Sequence, residues 1–338
     1  MKKKELVVLL FSLCIWLTFA ALPLVGVCPE ANAASKPIVL KAITAFTVRA
    51  PSHLKLRELQ KIVNERAKGE LTIKYVGGPE VIPTFEQPEA LKNGVVDILS
   101  TPYGFMQAVV PEGNVLFVSP HTWAEERKIG LNDFLDQLYR KKMNATYLGG
   151  GNKGLKFALI LKDGVKNLQG LKGLKCRSQG PMEYLIRDLG MAPVTMPLSE
   201  VYGALQRGVV DGMITTIDYT ADVLHLYEVC GYFVDHLFWG GNGVGTFINL
   251  DKWNAIPKHL QDLITQVQIE LEPKIYTQHL ASTERARQKY LDNGTKPIKF
   301  SEADAKAYLA IADKSQWDLL KAKTSPENYE KMRQFLVP

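Results

Sequence analysis

Short apolar runs alternate with stretches of helical spacing between residues 168 and 211. LKCRS is predicted to be a buried strand, and the turn SQGP after it ends near Pro181, which suits the first turn of a helix. MEYLIRDL has helical spacing and stops at Gly190, VTMP reads as a second strand, and Ser199 is placed to cap a second helix. With VVDGMIT as a third strand, the pattern predicts a parallel sheet with helices on its faces.

The first half of the chain shows the same alternation. Residues 38–45, 71–76 and 95–101 read as strands, and helices are predicted near residues 54–67 and 85–92. ALKNGVVD at residues 90–97 matches ALQRGVVD at residues 204–211 at six of eight positions (A, L, G, V, V and D). The chain therefore looks like two similar α/β lobes, through shared geometry or an old duplication. Two unrelated helix-glycine-strand joints are the alternative.

The remaining segments connect or bridge these lobes. Residues 120–139 are predicted as one helix, and the glycine-rich run at residues 149–154 as a crossing with an open hinge. FINLDKWNAIP is expected to return to the first lobe, and residues 257–293 to form a long helix along both lobes. The predicted lobes are thus discontinuous: residues 38–155 with 245–282, and residues 156–244 with 283–338.

Composition indicates a globular protein. The chain has 338 residues, of which 22% are charged and 46% hydrophobic, and this length is enough for two domains. The formal charge is +6, but beyond the first few residues there is no Lys/Arg-rich cluster, so no nucleic-acid partner is expected. We expect a monomer.

The N-terminus has the pattern of a targeting segment. Three lysines at positions 2–4 precede an uncharged apolar run over residues 6–27, and Ala31-Asn32-Ala33 forms an A-x-A cleavage site. Residues 1–33 are therefore predicted to be a signal peptide, which indicates an exported, periplasmic chain that is not itself membrane-spanning. An uncleaved anchor and lipidation of Cys28 are the alternatives.

Chemistry-bearing patterns are sparse. Cys176 and Cys230 remain after processing, and they are either a disulfide or two small buried hydrophobic residues. Neither has metal-ligand spacing, and no G-x-S-x-G or H-E-x-x-H motif occurs. Asp97 and Asp211 read as equivalent strand residues and not as a catalytic pair. We expect no cofactor.

Arg177 is the most informative residue. It ends a predicted strand just before a helix start, where an arginine fork beside free N–H groups suits a carboxylate. Further cleft candidates adjoin predicted strand ends or turns, although a place in the core explains each one as well. They are Phe46, Tyr103, Tyr219, Trp239 and His236.

Several segments resemble the DctP-like solute receptors of tripartite ATP-independent periplasmic (TRAP) transporters. They are GLKGLKCR, VTMP, SEVYGALQRGVVDG, LYEVCGYFVDH and ALKNGVVDI, with a histidine, His53, after the first strand. The resemblance covers residues 38–336. It implies a two-lobed periplasmic-binding-protein-like α/β fold with a ligand cleft, and capture of a small organic acid for a membrane permease. A sensory binding protein for a membrane kinase and an exported α/β enzyme are the alternatives.

The same resemblance assigns site residues. The family arginine that ends GLKxR grips the ligand carboxylate, and it matches Arg177. A second family cation, in a G-F-R sequence, corresponds to Lys156, whose point charge is less directional than a guanidinium fork. The family asparagine of Q-E-N-P falls on Thr215, which implies a less polar site or one that uses the hydroxyls of Thr215 and Thr216. Monocarboxylates, 2-oxo or 2-hydroxy acids and aromatic acids remain as ligands.

We predict that export removes the first 33 residues, because a charged start, an apolar run and an A-x-A site suit signal peptidase. N-terminal sequencing of the protein from its native compartment should give a start near Ala34. A start at Met1 or an acylated Cys28 would contradict this.

Overall fold

The computed structural model describes residues 36–47, 50–178, 180–240 and 243–336, and the predicted signal peptide lies outside these ranges. Its strands are β1 (Ile38–Thr44), β2 (Leu71–Gly77), β3 (Ile98–Pro102), β4 (Ala145–Gly150), β5 (Phe157–Leu161), β6 (Lys175–Ser178), β7 (Ala192–Thr195), β8 (Gly212–Thr216), β9 (Tyr232–Val234), β10 (Val244–Asn249) and β11 (Lys296–Ile298). Its α-helices are α1 (Leu54–Arg66), α2 (Gln87–Lys92), α3 (Trp123–Lys128), α4 (Leu131–Met143), α5 (Met182–Asp188), α6 (Val201–Gln206), α7 (Ile217–Asp222), α8 (Leu250–Ala255), α9 (Lys258–Glu270), α10 (Glu272–Asp292), α11 (Glu302–Lys323) and α12 (Pro326–Leu336).

Five strands form the first sheet, in the order β2-β1-β3-β10-β4. β1 lies parallel to β2 and β3, whereas β10 runs antiparallel to β3 and β4. The predicted return of FINLDKWNAIP to this sheet is therefore confirmed. We call these strands, the helices α1 to α4, α8 and α9, and their connecting loops the first lobe.

Six strands form the second sheet, in the order β11-β9-β5-β8-β6-β7. β6 is parallel to β7 and β8, as predicted, while β5 runs antiparallel to β8 and β9. We call these strands, the helices α5 to α7 and α10, and their connecting loops the second lobe. The predicted two-lobed α/β fold is confirmed.

The repeated octapeptide forms the same structure in both lobes. Asp97 Oδ2 accepts a hydrogen bond from the main-chain N–H of Lys41 at 2.7 Å, and Asp211 Oδ2 accepts one from that of Lys175 at 2.8 Å. Each aspartate N–H donates back to the same lysine carbonyl, at 2.9 and 2.7 Å. The glycine three residues earlier has a φ of +69° or +73°, which favours glycine. Each aspartate thus hydrogen-bonds two neighbouring strands to each other.

Residues 258–292 form a helical stretch along both lobes, as predicted. It is divided at Leu271, because Pro273 in the first turn of α10 has no N–H to continue the hydrogen-bond ladder. Ile264 of α9 lies in the core of the first lobe, and Ala286 of α10 lies in that of the second. No helix within the described ranges is long and apolar enough to cross a membrane.

Two segments cross between the lobes side by side, one after β4 and one before β10. Asn152 Oδ1 accepts hydrogen bonds from the main-chain N–H groups of Gly243 at 2.8 Å and Val244 at 2.9 Å. The N–H of Gly154 donates to the carbonyl of Gly240 at 3.1 Å. The two crossings are therefore bonded into one connection, which is the arrangement expected of a hinge.

Two local predictions are wrong. Residues 120–139 do not form one helix: Thr122 and Glu125 make a capping box that starts α3, and Gly130, with a φ of +83°, separates α3 from α4. Ser199 does not cap a helix by its side chain, because it lies inside a 3₁₀ turn over Leu198–Glu200 that leads directly into α6.

The two cysteines are not bridged. Cys176 and Cys230 are both buried free thiols. Burial raises the pKa of both thiols, that of Cys230 to about 12, so both stay protonated. The interpretation as small buried hydrophobic residues is the correct one of the two alternatives.

A buried ionic cluster joins α1, α3 and α10. Glu272 accepts two hydrogen bonds from Arg127, at 2.5 and 2.6 Å, and its Oε1 lies 3.5 Å from Lys55 Nζ. Lys55 also donates to the carbonyl of Gly150 at 3.0 Å and lies over the Trp123 ring. Burial lowers the pKa of Lys55 to about 8, an effect that Glu272 opposes. Glu272 therefore keeps this buried ammonium charged.

Replacing Glu272 by Gln should lower the free energy of unfolding by about 3–5 kcal/mol, since it leaves two cations without their buried partner. Urea unfolding followed by circular dichroism measures this. Glu270→Gln is the matched control, because its pair with Arg66 is exposed and should contribute about 0–1 kcal/mol. Equal losses in the two variants would contradict the assignment.

Candidate functional site

A pocket lies between the two lobes. It contains about 600 Å³ of space between atoms, part of which is open to solvent at its mouth. Its lining residues are Phe46, Ser52, Pro102, Gly104, Phe105, Phe117, Asn152, Phe157, Arg177, Pro181, Met182, Leu198, Ile214, Thr215, Thr216, Tyr219, Gly243 and Val244. Most are aromatic or aliphatic, and Arg177 is the one charged residue in this described set.

Arg177 reaches the pocket from β6, one residue before the strand ends. Only 2% of it is exposed, and its Nε and Nη2 donate to the carbonyl of Met196 at 3.1 and 3.0 Å. Burial lowers the pKa of its guanidinium to about 10, so the side chain remains charged at neutral pH. The pocket therefore contains a buried positive charge, and such a charge favours an anionic ligand group.

Hydroxyl groups lie on the neighbouring strand and helix. Thr215 and Thr216 end β8, which pairs with β6, and Tyr219 lies on α7 directly after it. Burial raises the pKa of Tyr219 to about 12, and the charge of Arg177 opposes that rise, so the phenol is neutral and near the guanidinium. All three predicted residues line the same pocket as Arg177.

Aromatic contacts join the lobes across the pocket. The ring centroid of Phe46, in the first lobe, lies 5.5 Å from that of Tyr219 in the second, and 5.9 Å from that of Phe105. Phe117 and Phe157, also from opposite lobes, have centroids 5.7 Å apart. These rings form apolar walls around Arg177, the one cation among the described lining residues.

His53 fixes the loop that carries Phe46. Its Nε2 accepts a hydrogen bond from the Phe46 N–H at 3.3 Å, and its Nδ1 lies 2.9 Å from the Ser100 hydroxyl. The ring is fully buried, and burial lowers its pKa to about 3. A neutral ring with the proton on Nδ1 satisfies both contacts, so His53 supports the site and does not itself line the pocket.

Several lining residues were not predicted. Asn152 lies in the glycine-rich crossing, and Ser52 lies in the 3₁₀ turn Pro51–His53 of the segment that follows β1. A search for polar residues in the segments that follow strands of the first lobe could have found Ser52. Phe105, Phe117 and Phe157 carry no sequence signal of their own. They reach the pocket through the tertiary arrangement of the two lobes.

Lys156 and Trp239 lie outside this pocket. Both line a neighbouring polar pocket together with Lys153 and Asp313, on the other side of Phe117. Lys156 precedes β5 and lines the neighbouring pocket, whereas Phe157, the first residue of β5, lines this one. Trp239 donates its indole N–H to the carbonyl of Ala312 at 3.1 Å.

Tyr103 and His236 are also not among the lining residues. Tyr103 is fully buried, and its hydroxyl lies 2.9 Å from that of Tyr147 in the core of the first lobe. His236 Nε2 accepts a hydrogen bond from the Phe300 N–H at 2.9 Å, and the two rings are stacked. Both side chains have structural contacts in the places where a ligand contact was expected.

Metal-binding residues do not cluster in the described part of the chain: no group of three or more His, Cys, Asp or Glu could hold an ion there. Asp97 and Asp211 hold strands, as shown above. The described residues of the pocket therefore offer one cation, hydroxyl groups and apolar surface, which are the means of binding a ligand.

Two α/β lobes that face each other across a shared pocket are typical of two-lobed ligand-binding proteins. The sequence of residues 44–320 matches the DctP family, described as bacterial extracellular solute-binding protein, family 7. The chain belongs to this family. Because family members are solute-binding receptors, the protein is assigned as a receptor and not as an enzyme.

Relatives and structures agree with this assignment. A monocarboxylate 2-oxoacid-binding periplasmic protein of Nostoc sp. is 24% identical over 277 residues, which is 79% of this chain and 74% of the relative. A TRAP periplasmic solute-binding protein of Desulfovibrio salexigens with bound orotic acid has a TM-score of 0.78 at 18% identity, covering 88% and 97% of the two chains. DctP7 of Bordetella pertussis, a receptor binding pyroglutamic acid, has a TM-score of 0.74 at 18% identity, covering 88% and 99%.

The buried His53 predicts a pH dependence of stability. Its pKa is about 3 when folded and 6.5 when unfolded, so the unfolded chain binds the extra proton and stability falls as the pH drops through this window. Between pH 6.5 and pH 5 the loss from this group is up to about 2 kcal/mol.

Urea unfolding of the wild type and His53→Gln at both pH values measures this loss. The variant should lose less stability on acidification, and the comparison cancels other groups that titrate there, such as His279, whose pKa burial lowers to about 4. The same pH slope in both proteins would contradict the neutral, buried state of His53.

Proposed function

We propose that this protein captures a small organic monocarboxylic acid, binds its carboxylate with Arg177, and delivers it to a TRAP permease. The observation that carries the proposal is the buried charge of Arg177 in a pocket whose other walls are mostly aromatic and aliphatic. Such a pocket suits an anionic group attached to an apolar body.

The lining favours one carboxylate over two. Among the described lining residues no second cation accompanies Arg177, and Lys156 lies in the neighbouring pocket. A second ionised carboxylate would lose its hydration without gaining a cationic partner among the described lining residues, which is costly. The hydroxyls of Thr215 and Thr216 can donate to the remaining lone pairs of a single carboxylate.

The relatives support the same ligand class. The Nostoc protein binds monocarboxylate 2-oxoacids, and the two structural neighbours hold orotic and pyroglutamic acid. Orotic and pyroglutamic acid each carry one carboxyl group on a compact ring.

Binding is proposed to close the lobes about the paired crossings. In this proposal residues 38–155 with 245–282 form one moving unit and residues 156–244 with 283–338 form the other. The end of α11 and α12 are the exception and move with the first unit, because Leu320 and Met332 lie in the core of the first lobe. The exported chain acts as a monomer in the periplasm after removal of residues 1–33, and its closed form is what the permease recognises.

Arg177→Ala should weaken binding of the best acid by roughly 30- to several-thousand-fold. Loss of one partner of a buried charge pair costs on the order of 2–5 kcal/mol. Arg177→Lys should also weaken binding, since a point charge cannot make two parallel contacts. A thermal-shift screen over monocarboxylates selects the acid, and calorimetric titration measures its affinity.

Two variants serve as controls in these titrations. Lys156→Ala removes the cation of the neighbouring pocket, and Arg187→Ala removes an exposed arginine paired with Glu183. Both should bind within about threefold of wild type, because neither cation lines the pocket. Binding by folded Arg177→Ala within the same threefold range would refute the proposal.

A further inference from the structure

Ser52 has a buried hydroxyl without a partner. Only 6% of the residue is exposed, and its Oγ makes no hydrogen bond to any described residue. Ser52 also lines the pocket. Buried polar atoms nearly always have a partner, so an exception calls for an explanation.

Ser52 differs from other buried hydroxyls without a partner because it lines the pocket. Thr101 Oγ1 and Ser178 Oγ are also buried without a partner in the described ranges, but neither residue lines the pocket. Of the described lining residues, Ser52 alone combines both properties. The simplest hydrogen-bond partner for a buried hydroxyl that lines a pocket is an atom of a bound ligand.

The segment around Ser52 is held in place. The 3₁₀ turn Pro51–His53 is anchored by the His53 ring, which contacts Ser100 and the Phe46 N–H. The main-chain oxygen of Ser52 packs close to Gly151 of the crossing segment, where an added Cβ would lie 3.4 Å away. The hydroxyl is thus presented by a fixed loop, and the entropic cost of ordering it is already met in the free protein.

Ser52 lines the pocket from the lobe opposite Arg177. Ser52 belongs to the loop after β1 in the first lobe, whereas Arg177, Thr215 and Thr216 end strands of the second. If the carboxylate lies on the second lobe, the part of the ligand that meets Ser52 is its body. A serine hydroxyl both donates and accepts, so it pairs with a hydroxyl or a carbonyl oxygen.

We propose that Ser52 determines specificity by hydrogen-bonding a second oxygen on the ligand body, away from the carboxylate. The inference rests on the proposed function and narrows its ligand class. The preferred ligand is then a monocarboxylate whose apolar or aromatic body carries one hydroxyl or keto oxygen. An acid without that oxygen leaves the Ser52 hydroxyl buried and unsatisfied.

The test uses acids in matched pairs that differ by one oxygen. Phenylacetate is compared with 4-hydroxyphenylacetate, benzoate with 3- and 4-hydroxybenzoate, and hexanoate with 5-oxohexanoate. Calorimetric titration of the wild type should show tighter binding of the oxygenated acid in at least one pair, by about 3- to 10-fold, the range of one neutral hydrogen bond.

Ser52→Ala should reduce that preference to within about twofold and leave the affinity of the oxygen-free acid nearly unchanged. Ser52→Cys, which keeps the side-chain size with a weaker donor, should give an intermediate preference. Thr101→Val is the matched control, since it removes a buried unpartnered hydroxyl outside the pocket, and it should keep the wild-type preference.

Three results would overturn the inference: no preference in any wild-type pair, a preference that survives Ser52→Ala, or an equal loss for both acids of a pair. An equal loss would indicate that Ser52 contacts the carboxylate.

Arg177→Ala in the same titrations separates failure of the Ser52 inference from failure of the proposed function. If Arg177 is required while the Ser52 pattern is absent, the inference alone fails; if no acid binds, the proposed function fails and the inference with it.

Discussion

The ion pairs of Glu272 are the interaction on which the packing of α1, α3 and α10 beside the first crossing depends. Glu272 lies at the start of α10, whose Ile275 packs in the core of the first lobe and whose Ala286 packs in that of the second. Its carboxylate binds Lys55 of α1 and Arg127 of α3. Lys55 in turn donates to the carbonyl of Gly150, where the first crossing begins. Buried charges tolerate few geometries, because each must keep its partners in a medium that does not solvate it. The cluster therefore fixes how two helices, the spanning helix and the crossing meet.

The crossing that this cluster holds also forms part of the ligand pocket. Asn152 bonds the two crossings together through Gly243 and Val244, and all three residues line the cavity. Hinge and binding site thus share atoms, so a ligand that occupies the pocket contacts the segment about which the lobes would rotate. Most of the remaining described walls are aromatic or aliphatic, and such a surface screens the charge of Arg177 less than polar groups would.

Sequence reasoning succeeded where a local pattern determines a local structure. ALKNGVVD and ALQRGVVD predicted two equivalent helix-glycine-strand joints, because the glycine at positive φ and the aspartate three residues later act on residues close to them.

Sequence reasoning failed where the direction of a side chain decides whether a residue lines the pocket. Pro102 and Gly104 line the pocket, yet Tyr103 between them lies in the core of the first lobe. Phe157 lines the pocket, whereas Lys156 beside it lines the neighbouring one. The missing partner of Ser52 depends on every atom packed around it, and no sequence pattern encodes that.

The two lobes are equivalent in backbone but differ in charge at one pair of corresponding positions. Lys41 and Lys175 occupy matching positions, since each is clasped by its own aspartate, so Ile43 and Arg177, two residues further along, also correspond. Ile43 is fully buried. One lobe thus places hydrocarbon where the other places a guanidinium, and the electrostatic potential across the cleft is asymmetric although the backbone is nearly repeated. An acid bound between the lobes as proposed would have its lowest energy in one orientation, with its negative end toward Arg177 and the second lobe. Under that proposal every bound ligand would have the same end toward the same lobe.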